Sequence, residues 1–140
     1  MPRGAPGPHE EPEFAKKLNL FERKLADHGI KVVLTWGYRS IESQNQLYAK
    51  GRTAPGSIVT NARGGYSWHN FGLAADYAFV IDGKVTWNGP WDAFGRIARQ
   101  CGLEWGGDWK EFPDRPHVQW TKGRTLAQMR AAAEAKAARK

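Results

Sequence analysis

His69, Asp76 and His117 are the residues whose types and order point most directly to chemistry. The first two lie in Ser67-Trp68-His69-Asn70-Phe71-Gly72-Leu73-Ala74-Ala75-Asp76, and the third closes Asp114-Arg115-Pro116-His117. Two imidazole nitrogens and a carboxylate oxygen are the donor set of a catalytic zinc, which keeps a fourth position open for water. Asp114, three residues before the last His, is spaced to serve as general base. A plainer reading competes. A His beside a Trp in a Gly-rich loop is commonly a surface or hydrogen-bonded group, and an H-x6-D spacing arises by chance. Spacing alone leaves both readings open.

The elements that must carry these residues favour the metal. Leu73–Ile81 reads as an apolar strand, where the Asp76 carboxylate is costly to bury unless paired or bound to a cation. Ala74, Ala75 and Ala78 beside it are small and leave room. His117–Trp120 reads as a short strand with His117 and Gln119 on one face. Two strand ligands and one loop ligand can converge. Elsewhere, Phe14, Leu18, Phe21 and Leu25 make one apolar stripe, which predicts a helix over Glu13–His28 ended by Gly29. A strand follows at Ile30–Trp36, then a helix at Ile41–Lys50 with Ser40 as N-cap. Gly51–Ser67 is irregular except for an extended Ile58–Asn61. Asp82-Gly83 predicts a hairpin between Leu73–Ile81 and Lys84–Trp87. Pro90–Cys101 reads as a helix with Trp91, Phe94, Ile97, Ala98 and Cys101 inward. Gly106–Pro116 reads as a loop, and Thr125–Ala138 as an Ala-rich terminal helix. The sum is an α+β fold: a small, mainly antiparallel sheet with helices on one face and the metal cleft on the other.

With SxHxxGxAxD followed by DxxH, the chain resembles the zinc D-Ala-D-Ala carboxypeptidase and L-alanyl-D-glutamate endopeptidase family. This is the VanY-like branch of metallopeptidases that share a core with lysostaphin and the hedgehog signalling domain. Further blocks resemble its phage endolysin subgroup: Gly37-Tyr38-Arg39-Ser40, Gln44, Leu47-Tyr48, Gly51-Arg52-Thr53-Ala54-Pro55-Gly56 and Trp105-Gly106-Gly107-Asp108-Trp109. Together they span Phe14 to Trp120. The resemblance implies Zn2+ on His69, Asp76 and His117, with Asp114 as base where the carboxypeptidases carry Glu. It implies that Arg39 faces the cleft, to stabilise an oxyanion or hold a substrate carboxylate, and that Ser67 bonds a substrate carboxylate. Gln44 is expected at the substrate or as a brace for the Arg39 loop. Asp108 is expected to orient its loop through backbone N–H groups rather than to act as base.

Composition bounds the rest. One domain is expected from 140 residues. A Pro-rich lead covers 1–12 and includes His9, the peptidase domain 13–121, and a basic helix 122–140. Net charge is +7, and six basic residues against Glu134 in the last nineteen carry most of it, so the body of the chain is nearly balanced. Anionic partners follow: a peptidoglycan stem peptide in the cleft and anionic envelope polymers on the tail. No nucleic-acid motif is present. The single cysteine, Cys101, excludes an internal disulfide and reads as a small core residue. Of seven Trp, Trp68, Trp105, Trp109 and Trp120 lie near the proposed site. No run suits a transmembrane helix, and the start lacks a signal-peptide apolar region. The expectation is a monomeric phage endolysin that cuts the L-Ala–D-Glu bond and is held in the host cytoplasm until a holin opens the membrane. A D-Ala-D-Ala carboxypeptidase or dipeptidase is the alternative enzyme, and a non-catalytic zinc-containing cell-wall binding module the alternative from another class.

Overall fold

Glu11 starts the first helix by accepting from the amides of Glu13 and Phe14 at 3.3 and 3.0 Å. Helix α1 therefore runs Pro12–Asp27, one residue earlier than its apolar stripe predicts. Pro12 fits there because the first helical N–H has no intrahelical partner to lose. The computed structural model describes residues 10–138, so His9 and most of the Pro-rich lead lie outside the described residues. Strand β1 is Val32–Trp36 and helix α2 Ile41–Ala49, with Ser40 Oγ accepting from the Ser43 amide at 3.0 Å. A 3-10 turn at Trp68–Phe71 leads into β2, Ala74–Ile81. β3 is Lys84–Thr86, α3 Trp91–Gln100, β4 Glu104–Trp105, β5 His117–Gln119 and α4 Leu126–Ala138.

All strand pairs are antiparallel, in the order β1-β2-β5-β4. Asp76 pairs with Trp36 on one edge of β2 and with His117 on the other. Phe79 likewise pairs with Val32 of β1 and Thr86 of β3, so β3 shares the β5 edge. The β2–β3 connection is Asp82-Gly83, both at positive φ (54° and 76°), as a two-residue hairpin turn of the primed type requires.

The pleat separates core from site. Ala75, Tyr77 and Phe79 of β2 and Val118 of β5 face α1 and α3 and are fully buried. Phe21 packs edge-on against Phe94 and Tyr77, with ring centroids 5.0 and 5.7 Å apart. Cys101 is buried at the end of α3, as expected of a core residue. The alternate residues, Asp76, His117 and Gln119, face the other way. α2 lies on that side too, where Leu47 lines the cleft.

Three expectations need correction. Ile58–Asn61 forms no strand. Side chains hold this segment instead: Arg52 Nη1 donates to the Tyr48 and Thr60 carbonyls, and Asn45 Oδ1 accepts from the Gly64 amide. β4 was not expected; two residues are too few to show a period-2 pattern. Trp105 and Trp120 belong to the core side, Trp105 within it and Trp120 against it, while the unexpected Trp36 joins Trp68 and Trp109 at the cleft. No helix among the described residues is long and apolar enough to cross a membrane.

Candidate metal centre

The cleft on the open face of the sheet has a volume of about 500 Å3. Its floor is the β2–β5 pair, where register sets Asp76 directly opposite His117. His69 arrives from the 3-10 turn that precedes β2. The amide of His69 donates to Ser67 Oγ at 3.3 Å, so Ser67 caps this turn. Gly72, at φ 70°, ends it and turns the chain into the strand. The three side chains offer ligand atoms that all lie within 4.8 Å of one another. Asp76 Oδ1 is 3.4 Å from His69 Nε2 and 3.1 Å from His117 Nδ1.

The outer nitrogens fix the tautomers. His69 Nδ1 is 2.8 Å from the Gly37 carbonyl oxygen, which can only accept. His117 Nε2 is 2.7 Å from Gln119 Oε1, another acceptor. In each neutral ring the proton is thus on the far nitrogen, and the lone pair turns inward. Two lone pairs and a carboxylate oxygen aimed at one point need a positive charge between them. A proton can supply it, and so can a metal ion, whose His ligands characteristically make such second hydrogen bonds.

The electrostatics agree. Burial pushes the Asp76 carboxyl up, but hydrogen bonds from His117 and His69 outweigh it and hold the carboxyl well below the usual range. Burial alone would lower His117, yet Asp76 and Gln119 raise it overall. A metal entering the site must displace that proton, so its affinity rises with pH.

Asp114 stands at the rim, half-exposed, with Oδ2 4.0 Å from His117 Nδ1. Desolvation raises its carboxyl, and the charge of Asp76 adds to that. Its amide donates to the Gly106 carbonyl at 2.9 Å. A Cβ on Gly106 would come 2.2 Å from the Asp114 carbonyl oxygen, so only glycine lets the two loops approach this closely.

Arg39 is buried in the cleft wall. Its guanidinium stacks 4.2 Å over the Trp36 ring, and Nη1 donates to Gln44 Oε1 at 2.7 Å. Burial lowers its pKa, while Asp76 opposes the shift. Gln44 is fully buried, with its amide nitrogen donating to the Ala62 carbonyl at 2.6 Å, and it braces Arg39. Asp108 corrects an expectation. It forms an ion pair with Arg99, both oxygens 2.9 Å from Nη1, in place of loop amides.

Two functional residues escaped the sequence reading. Gln119 orients His117; its signal was the shared face at i and i+2. Asn70 locks the His69 turn to the Arg39 loop, donating to the Arg39 carbonyl at 2.8 Å and accepting from the Gly65 amide at 3.0 Å. An Asn adjoining a ligand His was the only local hint.

Comparison with known proteins places this site in a lineage. Residues 60–120, which contain every candidate ligand, match the family model described as D-alanyl-D-alanine carboxypeptidase. The chain is 49% identical to the peptidoglycan L-alanyl-D-glutamate endopeptidase CwlK of Bacillus subtilis (strain 168), covering 77% of this chain and 71% of that protein. It is 30% identical to the L-alanyl-D-glutamate peptidase of Listeria phage A118, covering 77% of this chain but only 38% of the phage protein. The solved Serratia marcescens L-Ala D-Glu endopeptidase ChiX superposes with a TM-score of 0.57 at 27% identity, covering 86% of this chain and 84% of that one. Close identity over most of both chains, on a fold shared with a solved endopeptidase, leaves one assignment: the chain belongs to the metallopeptidase family of the D-alanyl-D-alanine carboxypeptidases and peptidoglycan L-alanyl-D-glutamate endopeptidases.

Proposed function

We propose that this protein is a zinc-dependent peptidoglycan hydrolase that cuts the L-Ala–D-Glu bond of the stem peptide and serves as a phage endolysin. The observation that carries the reading is the convergence of His69, Asp76 and His117 beside Asp114 in an open cleft. The identity to an endopeptidase of that specificity supports the bond, and the phage relative supports the lytic role.

His69 Nε2, His117 Nδ1 and Asp76 are the ligands in this reading. Zinc held there would supply Lewis acidity toward a carbonyl and would lower the pKa of a water toward ~7. Asp114 takes the proton of the attacking water as the new C–O bond forms. It returns that proton to the leaving amine as the C–N bond breaks. Arg39 faces the negative charge that develops on the carbonyl oxygen. Only its Nη1 is engaged, by Gln44, and its buried Nε has no partner among the described residues. Ser67 lines the same cleft and is proposed to bond a substrate carboxylate while its oxygen caps the His69 turn.

A carboxypeptidase acting on D-Ala would use the same groups. Mass spectrometry of digested peptidoglycan separates the two: new N-terminal D-Glu is the expected product, and free D-Ala would overturn the bond assignment. A non-catalytic binding module would need no base, and Asp114 at the mouth of the ligand set opposes it. The role of Arg39 has its own test. Arg39→Ala is expected to lower kcat by about 10²–10³, with Arg39→Lys between it and wild type and zinc content unchanged in both. Full activity in Arg39→Ala would reduce the residue to a brace for Gln44.

A further inference from the structure

Arg63 and Arg130 both pack against Tyr66, which lines the cleft, and none of the three has a part in the hydrolysis described above. The Arg63 guanidinium lies 4.4 Å from the Tyr66 ring centroid, and its Nη2 donates to the phenol oxygen at 2.9 Å. Arg130 reaches in from α4. Its guanidinium lies 3.9 Å from the same centroid, and its Nη1 donates to the Gly65 carbonyl at 3.1 Å. Gly65 sits at φ 84°, and a Cβ there would come within 3.3 Å of the Arg130 side chain. This turn favours glycine, and glycine leaves Arg130 its place. Met129, next to it, packs on the core and anchors the helix.

The trio is strongly positive and unspent. Among the described residues neither arginine is in an ion pair, and Glu134 acts on the Tyr66 phenol without bridging to either. Each guanidinium has five N–H donors and has committed one side of its fork. The phenol oxygen accepts from Arg63, so its own proton is free to be donated. Stacking on one ring and one hydrogen bond apiece hold both forks in place before a ligand arrives, and a planar carboxylate is the shape they fit.

We propose that Arg63, Tyr66 and Arg130 form a carboxylate subsite that reads a free acidic group of the peptide beside the bond being cut. This deepens the peptidase reading and rests on it for the identity of the peptide. A D-glutamyl residue presents such a carboxylate. Its carboxamide counterpart offers one acceptor and turns an NH2 donor toward two cations, so it should bind less well.

The test uses the zinc-loaded full chain and two γ-D-glutamyl peptides that differ only in a free or amidated α-carboxylate. Calorimetry should show wild type binding the acid about fivefold more tightly at low salt, as suits charges at the protein surface. R63Q/R130Q should bind both peptides equally, at the affinity wild type has for the amide, and should keep its zinc. R63K/R130K should recover part of the preference. The subsite is overturned if wild type does not discriminate, if R63Q/R130Q still does, or if that variant loses both peptides alike. Cleavage of an L-Ala–D-Glu substrate is scored separately. Cleavage without an arginine-dependent acid preference removes the subsite and leaves the peptidase. An arginine-dependent preference without cleavage does the reverse.

Discussion

Replacing His117 by alanine is expected to empty the metal site and abolish hydrolysis. The substitution removes the ring that Gln119 orients, and with it one of three inward donors. It also strips Asp76 of the His117 hydrogen bond that helps keep its carboxylate charged in a buried setting. Two donors remain on a floor that has lost its charge balance. Elemental analysis should fall from about one zinc per chain to a small fraction, and activity should drop by on the order of 10³-fold or more. Gln119→Ala provides the graded control. It keeps all three ligands and frees only the far nitrogen of His117, so zinc affinity should weaken by about 10–100-fold. Stoichiometric zinc in His117→Ala would show that another residue completes the set.

The donor types were legible because the chemistry restricts them. His, Asp and His with a carboxylate three before the last are few enough to be seen in a chain with only four His. Their meeting was not legible from local spacing. It depends on β2 and β5 pairing in a register that sets Asp76 opposite His117, and register is a long-range property. The apolar stripe of α1 and the Asp82-Gly83 turn were readable for the opposite reason, since each is decided within a few residues. The surroundings of Gln44 were not legible locally, because the 60–62 segment folds over it and leaves it fully buried. Asp108 shows where the reading failed: its partner Arg99 lies on the preceding helix, a contact that no loop rule contains. Arg130 is the sharpest case. It reads as one of several basic residues on a solvated helix, and only the tertiary structure sets it against Tyr66.

Asp114→Asn should separate metal binding from catalysis. The side chain reaches only to 4.0 Å from His117 Nδ1 and makes no closer contact with the ligand set, so the variant should hold zinc like wild type. The amide is nearly the same size, and the backbone bond from residue 114 to Gly106 does not involve the side chain. What is lost is the ability to take a proton, and kcat should fall by on the order of 10²-fold or more. The pH profile gives a second readout. Desolvation raises the Asp114 carboxyl above its ordinary value, and Asp76 raises it further against the pull of His117 and His69. A base acts only when deprotonated, so the wild-type rate should climb with pH through this raised value. In Asp114→Asn that limb should disappear from the residual activity, while zinc uptake keeps its own rise with pH from displacement of the His117 proton. Loss of zinc in Asp114→Asn would make the residue a ligand. An unchanged rate would pass the proton transfer to another group, and the pairing of Asp108 with Arg99 makes that residue a poor substitute.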